Sequence, residues 1–385
     1  GGWDRLAGVG VAFCLAIALR RRLREAGFWA GRTEPNLRWL CDLVALGTIA
    51  DMVPLLEENR ILAKTGLDVI GSGRRPGLAA LMEAAGITHR PMDADDVAFR
   101  LAPRLNAAGR IDHAGLAVDL LTAGGREPAR RLAQTLNQLN ASRQDIERRI
   151  GEDLEALIAR QPELLKRQTL VLAHPEWHAG VIGIAASKLM NRYHRPVVLI
   201  ALDGRSGRGS ARGIPGIDLL ACLTACRTHL EELGGHVQAA GLRIHADRLP
   251  DFQQAFEAAV RSAAGPHPFV PHIPIDAEVG LSAISEDLAD HLEQLMPFGA
   301  GNPEPLFMAR QVAVISSSRV GEHHRRMALR PAAGPAHRLL QAIQFHVDPR
   351  QDTPAYFERM AYRLRWNRWN GSKTLQLVVE EVSPH

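Results

Sequence analysis

Three stretches of this chain bring together residue types that grip phosphate. Arg100-Leu101-Ala102-Pro103-Arg104-Leu105-Asn106-Ala107-Ala108-Gly109-Arg110 sets three arginines and an amide among small residues. Forked guanidinium groups match phosphate oxygens, and Asn106 is placed to pin the loop that carries them. A solvated turn with surface arginines is the plainer alternative. Gly207-Arg208-Gly209-Ser210-Ala211-Arg212 alternates small residues with Arg and Ser. On an extended strand Ser210 and Arg212 share a face and form a phosphate clamp, with a solvated hairpin edge as the rival reading. Gly234-Gly235-His236-Val237-Gln238-Ala239-Ala240-Gly241 joins two unrestricted glycines to an imidazole. Glycines let the backbone approach a ligand and turn N–H groups toward an anionic oxygen. Taken alone, the stretch reads first as a tight turn before a strand.

Other residues suggest narrower chemistry. Ala45-Leu46-Gly47-Thr48-Ile49-Ala50-Asp51-Met52-Val53-Pro54-Leu55 puts one acid at the end of an apolar run read as a strand, the edge where ligands sit in open α/β sheets. Asp51 is a metal-ligand candidate there, or a helix cap. His174-Pro175-Glu176-Trp177-His178 precedes an expected helix whose first residues, Gly180, Val181, Ile182 and Gly183, offer backbone donors to an anion. A zinc site from His174, Glu176 and His178 is the weaker reading, because the spacing is not the helical His-Glu-x-x-His pattern. Arg363, Arg365, Trp366, Arg368 and Trp369 interleave cations with aromatics, as in a groove that stacks bases, or as in a half-buried hairpin.

The elements that must position these groups follow from periodicity. Residues 1–124 read as alternating helices and short strands. From Arg126 to about Gln161 no Pro or Gly pair interrupts, and Leu132, Leu136, Leu139, Ile146, Ile150 and Leu157 recur at helical steps. One helix of roughly 50 Å fits at 1.5 Å per residue, or two helices broken at Gly151. Thr169–Ala173, Gly180–Arg192 and Pro196–Leu202 then form a βαβ unit with a parallel pair. A Pro/His-rich segment at 265–274 reads as a linker. The remainder is mostly β, with Asn370-Gly371 as a hairpin signal and a helix near Ser285–Met296. Five short strands with one helix suit a small oligonucleotide-binding (OB) barrel, or a sandwich.

Composition sets the outer bounds. With 385 residues, 46% hydrophobic and 23% charged, the chain has room for two or three globular domains. No run reaches the roughly 18 apolar residues a membrane helix needs. Cys14, Cys41, Cys222 and Cys226 lack paired spacing, which points to reduced thiols of a cytoplasmic protein. A metal or redox role for Cys222 and Cys226 is the minor alternative to buried thiols. The net charge of +4, carried almost wholly by arginine, permits a polyanionic partner without requiring one. The first residues, Gly-Gly-Trp, carry neither an initiator Met nor a signal-peptide pattern, so the chain is read as a piece of a longer protein.

Taken in order, LVALGTIADMVPL, RLAPRLNAAGRIDHA, HPEWHAGVIGIAASKL, GRGSARGI, LGGHVQAAG and PFGAGNPEPLF closely resemble the bacterial RecJ family, single-strand-specific DNA exonucleases of the DHH phosphoesterase superfamily. The resemblance covers essentially the whole chain. It implies an α/β fold: the C-terminal part of a DHH domain at residues 1–124, a long connecting helix at 125–163, an α/β DHH-associated domain at 164–265 and an OB-like β-barrel at 266–385. It also implies stepwise 5′ to 3′ hydrolysis of single-stranded DNA with Mn²⁺ or Mg²⁺ in a two-metal site. Asp51 corresponds to the one metal ligand of the family present here. The chain contains no Asp-His-His, and the remaining ligands are expected upstream, so these residues alone are expected to be inactive.

The same resemblance assigns Arg104, Asn106, Arg110, His178, Ser210, Arg212, Gly234 and Gly235 to substrate binding. His236 is assigned to catalysis, steadying a phosphoryl oxygen or orienting a group near the attacking water. Gripping the terminal phosphate fixes which bond is cut and hence the polarity. The implied partners are single-stranded DNA, a single-stranded-DNA-binding protein and a repair helicase, with no membrane and a monomeric state. Alternative functions are a DHH-family oligoribonuclease or cyclic-dinucleotide phosphodiesterase, and a non-catalytic single-strand-binding module.

Overall fold

The computed structural model describes residues 5–87, 91–265, 269–321, 323–333, 339–348, 352–369 and 372–383. In chain order the elements are α1 (Gly8–Glu25), α2 (Cys41–Ala50), α3 (Glu57–Gly71), α4 (Pro76–Ala84), α5 (Ala102–Ile111), α6 (Gly115–Leu121) and α7 (Arg126–Arg160). There follow β1 (Leu170–His174), α8 (Ile182–Tyr193), β2 (Val197–Asp203), β3 (Ser206–Arg212), α9 (Leu219–Ala225), β4 (Glu232–Gly235), β5 (Ala239–His245) and α10 (Leu249–Ala264). The last are β6 (Ala277–Glu278), α11 (Glu286–Gln294), β7 (Phe307–Val320), β8 (His324–Pro331), β9 (Leu340–Gln344), β10 (Tyr356–Trp369) and β11 (Ser372–Ser383). Among the described residues no helix is long and apolar enough to cross a membrane.

The chain divides into two compact units. One comprises Gly1–Ser72, Arg90–Ala98 and Ile273–His385; the other comprises Gly73–His89 and Phe99–His272. In the first, α2 and α3 cross in backbone contact: a Cβ on Gly66 would lie 2.0 Å from the Cys41 carbonyl oxygen. The run expected as a strand before Asp51 is therefore a helix. Cys41, Val44, Ala45, Leu46, Thr48 and Ile49 of α2 are all buried. A helix enclosed on nearly every side shows no polar face, so its periodicity cannot be told from that of a buried strand.

The β-rich part of this unit is a closed ring rather than a sandwich. Strand order β10-β11-β9-β8-β7 returns to its start through an antiparallel β10–β7 pairing. Phe307, Phe357, Met360, Tyr362 and Leu377 fill its interior, and Ala289 of α11 packs with them. The expected Asn370-Gly371 turn lies outside the described residues, as do the side chain of Trp369 and residues 266–268 of the expected linker.

The second unit is organised by α7, unbroken over 35 residues and passing through Gly151. Its buried face runs Ala129, Ala133, Leu136, Asn140, Arg143, Glu147, Ile150, Leu154, Ile158, so the stripe read from leucine spacing is only partly the one that packs. The sheet order is β1-β2-β3-β5-β4, with β1 and β2 parallel as expected and the other neighbours antiparallel. One face is covered along the whole sheet: Val171, Val198, Ile200, Ala211, Ala240, Leu242 and Ile244 pack with α9 and α10. On the other face, α7 and α8 cover Leu170, Leu172, Val197, Leu199 and Ala201 of β1 and β2. The same face of β3, β5 and β4 carries polar residues and glycine instead of core.

Candidate nucleic-acid interface

That half-covered face positions the candidate binding residues. Residues alternate across a strand, so Arg208, Ser210 and Arg212 project together while Gly207, Gly209 and Ala211 are buried. Strand register then writes three rows: Arg208 opposite Arg243 opposite Glu232; Ser210 opposite Gly241 opposite Gly234; and Arg212 opposite Ala239. The middle row has a serine at one end and no side chain beyond it. A Cβ on Gly234 would meet nothing within 4 Å. The result is an open groove of about 550 Å³ lined by Ser210, Gly241, Gly234, Arg208 and Arg243, with Ala179 and Ile182 as its wall.

Arg212 is held at the edge of this trough. Its Nε donates to Ser187 Oγ at 3.0 Å, and its Nη1 donates to Ser210 Oγ at 2.9 Å and to the Ala211 carbonyl at 2.8 Å. Burial, and then repulsion from Arg110, lowers its pKa. Arg212 is thus a half-buried cation within reach of the charge of Arg110, a setting that favours an anion beside it. Arg110 donates to the Gly180 carbonyl at 3.2 Å, and its own pKa is lowered by burial first and then by Arg143. Gly180 fits against that helix end so closely that a Cβ would stand 2.3 Å from the Arg110 carbonyl oxygen.

The RLNAAGR segment is helix α5, not a loop, and this separates its polar residues. Six positions apart on a helix, Arg104 and Arg110 face different directions. Arg104 reaches α7, donating to Asn137 Oδ1 at 2.9 Å and to the Arg100 carbonyl at 2.6 Å, while Asn106 is exposed. The start of α8 is likewise less open than its sequence suggests. The N–H groups of Val181 and Ile182 donate to the His178 carbonyl, and that of Gly180 donates to His178 Nδ1 at 3.1 Å. His178 therefore folds its own loop and keeps its exposed ring edge for any ligand. His174 Nδ1 accepts from the Glu176 N–H at 3.2 Å, and among the described residues no group of three His, Cys, Asp or Glu could hold a metal.

The Gly-Gly-His stretch is a hairpin end. Gly234 and Gly235 close β4, the His236 N–H donates to the Ala239 carbonyl at 2.8 Å, and the His236 ring is exposed. A Cβ on Gly235 would lie 2.5 Å from the Ala239 carbonyl oxygen, so that glycine is required by packing. The turn is tied down by Leu219 N–H to the Val237 carbonyl at 3.0 Å and Gly213 N–H to the Gln238 carbonyl at 2.8 Å.

Sequence reasoning passed over a polar seam on α7. Buried Arg143 donates to Glu147 at 2.6 Å and to Asn140 at 2.9 Å, and Lys188 of α8 pairs with the other oxygen of Glu147. The spacing 136, 140, 143, 147, 150 continues a heptad through these polar positions, and that was the available signal. Ser187, which fixes Arg212, carried no signal of its own.

In the other unit Asp51 is the exposed C-cap residue of α2, its N–H bonded to the Gly47 carbonyl at 3.0 Å. The segment after it is clamped by the PFGAGNP stretch: Leu55 N–H donates to the Ala300 carbonyl at 2.7 Å, and a Cβ on Gly301 would lie 2.9 Å from Pro54. The basic and aromatic side chains of β10 are engaged with carboxylates. Arg363 donates to Glu380, Arg365 to Glu304 and Asp95, Arg368 to Glu293, and Trp366 Nε1 to Asp290. Arg363, Arg365 and Arg368 thus each already hold a carboxylate. Cys222 and Cys226 are buried thiols in the core beneath β3 and β5.

A family model described as the DHHA1 domain matches residues 166–262, and one described as the RecJ OB domain matches residues 275–381. A protein named single-stranded-DNA-specific exonuclease RecJ from Dickeya dadantii (strain 3937) is 40% identical over 98% of this chain and 67% of its own length. Its namesake from Escherichia coli (strain K12) is 38% identical over 98% of this chain and 67% of its own. The crystal structure of RecJ in complex with Mn²⁺ from Thermus thermophilus superposes with a TM-score of 0.80 at 33% identity, covering 97% of this chain and 52% of that one. The chain thus spans about two thirds of those curated relatives and about half of that solved chain. With both domain matches in order and the likeness running through sequence and fold alike, the chain belongs to the RecJ family.

Proposed function

We propose that this chain is the substrate-gripping part of a nuclease that hydrolyses single-stranded DNA stepwise from the 5′ end, in DNA repair and recombination. One observation carries the reading: the Ser210–Gly241–Gly234 row, a side-chain-free trough beside the anchored guanidinium of Arg212. A phosphate seated there meets Ser210 and Arg212, and Arg110 adds a second guanidinium. His236, exposed at the hairpin end, is assigned to hold or orient a phosphoryl oxygen. Arg104, tied to α7, and Asn106, exposed on α5, are assigned to substrate binding, and His178, Gly234 and Gly235 shape the backbone around the substrate. Residues 1–124, 125–163, 164–265 and 266–385 are assigned as DHH part, long helix, DHH-associated domain and OB-like domain.

The cofactor this reading calls for is Mn²⁺ or Mg²⁺, with Asp51 as one ligand. The described residues gather no cluster able to complete such a site. By themselves the 385 residues are proposed to bind single-stranded DNA without degrading it. A monomeric state, a cytoplasmic location and contacts with a single-stranded-DNA-binding protein and a repair helicase belong to the same reading. The test is binding of 5′-phosphorylated oligothymidylate to the purified chain, with and without Mn²⁺. Salt-sensitive binding and an intact oligonucleotide are expected. Salt-insensitive binding or none would overturn the gripping role, and rapid degradation would overturn the division of labour.

A further inference from the structure

The groove does not end at Ser210. Two residues further along the same strand face, about 6.7 Å away at 3.3–3.4 Å per residue, lies the row Arg208–Arg243–Glu232. Arg208 and Arg243 are directly opposite one another on adjacent antiparallel strands, and like charges in that relation repel. Glu232, across from Arg243 on the far side, relieves only one of them, with Arg243 Nη1 and Glu232 Oε1 at 3.5 Å. Arg208 is exposed. Both arginines line the same groove as Ser210, and the rest of the Ser210 row is Gly241 and Gly234, which present no side chain. Its volume of about 550 Å³ falls within the roughly 300–1,000 Å³ of small-ligand sites.

The geometry points to a second phosphate position, held by Arg208 and Arg243, one strand repeat beyond the first. This rests on the reading of Ser210 and Arg212 as the first. A phosphodiester between the two guanidinium groups replaces their repulsion with two charge-assisted contacts. The glycine floor lets the sugar-phosphate chain lie along β3 from one row to the next. Glu232 then becomes a gate, because Arg243 must leave it to face the phosphate. The trough thus measures one nucleotide, and the register of β3 with β5 sets the measure.

The experiment is a ladder of 5′-phosphorylated thymidylates, one to three nucleotides long, titrated calorimetrically into the 385-residue chain. In the unaltered chain the step from one nucleotide to two is expected to raise affinity about tenfold. In Arg208→Gln/Arg243→Gln that step shrinks below about twofold while mononucleotide affinity is retained; in Arg212→Gln the mononucleotide itself is lost. Arg208 is exposed and Arg243 half-buried on the polar face of the sheet, so both can be replaced without touching the core, and a melting curve checks this. If the one-to-two step survives in the double variant, or is missing from the unaltered chain, the second position is wrong. If the unaltered chain does not bind the mononucleotide at all, the first position and the proposed function fail with it.

Discussion

Gly183 and Arg212 are fitted to each other: a Cβ built on Gly183 would lie 2.8 Å from Arg212 Nη2 and 3.0 Å from Ser210 Oγ. The atoms it would meet are the movable ends of side chains, so Gly183→Ala need not disturb the backbone. Alanine is in fact favoured over glycine inside a helix by up to about 1 kcal/mol. The expected outcome is an unchanged or slightly raised melting temperature, with affinity for 5′-phosphorylated single-stranded DNA lowered about tenfold as Arg212 is displaced. Undiminished affinity would show that Arg212 is not the contact.

The neighbouring glycines of β4 separate fold from function. Gly235→Ala drives a Cβ to 2.5 Å from the Ala239 carbonyl oxygen and the Ala240 Cα, both backbone atoms. It is expected to cost about 1–3 kcal/mol in a denaturant titration. Gly234→Ala meets nothing within 4 Å and should fold normally, yet it puts a methyl group on the floor of the trough. Its expected effect is weaker oligonucleotide binding at unchanged stability. Equal behaviour of the two variants in both measurements would remove the trough from the binding model.

How much of this was legible beforehand depended on what surrounds each element. Helices α8 and α10 and the last strand show amphipathic spacing or alternation because each has one wet face, whereas β1 and β2, buried on both faces, were legible as short apolar runs. The identity of α2 was hidden because burial on nearly all sides erased the contrast that periodicity needs. The shared face of Ser210 and Arg212 followed from strand alternation alone, whereas Ser187, which also holds Arg212, comes from α8 and is linked only by tertiary packing. The arginines of α5 read as converging in a loop; helical rotation sends Arg104 to Asn137 and Arg110 to Gly180. Charges on β10 were visible, but their carboxylate partners, up to 270 positions away in sequence, were not.

Cys226 makes the second unit sensitive to alkali. Burial, and then the neighbouring Cys222 thiol, pushes its pKa from 9.0 up to about 11. A folded-state value above the unfolded one means the neutral thiol favours the fold. That contribution is whole below pH 9 and is lost as pH rises from 9 through 11. Stability should therefore fall over this window, by up to about 2–3 kcal/mol from this group. Urea midpoints at about pH 8 and about pH 10.5, compared between the unaltered chain and Cys226→Ala, check it: the variant should lose less. Parallel pH dependence in both chains would exclude the thiol as the cause.

The seam on α7 makes its own prediction. Glu147 is buried with both oxygens committed, one to Arg143 and one to Lys188. Glu147→Leu leaves the Arg143 charge buried without its carboxylate, and a loss of roughly 3–5 kcal/mol is expected. Arg143→Met combined with Glu147→Leu removes both charges and should recover most of that loss, measured by chemical denaturation. Additive losses in the double variant would mean that the two side chains do not act as a pair.

On β10 the question is whether Arg365 serves DNA or the fold. Its guanidinium bridges Glu304 and Asp95, and Glu304, whose side chain is only 8% exposed, also accepts from Arg363 through its backbone carbonyl. Removing the cation leaves a shielded carboxylate short of a partner, which costs roughly 1–3 kcal/mol, more than a surface ion pair is worth. Glu293, the partner of Arg368, is more open to solvent than Glu304, and the loss of that pair should be nearly silent. Arg365→Gln is therefore expected to lower the melting temperature with oligonucleotide affinity within about twofold of the unaltered chain, and Arg368→Gln to change neither. If both variants instead lose affinity together at unchanged stability, these arginines exchange their carboxylates for phosphates when DNA arrives, and the barrel must be counted among the surfaces that hold the strand.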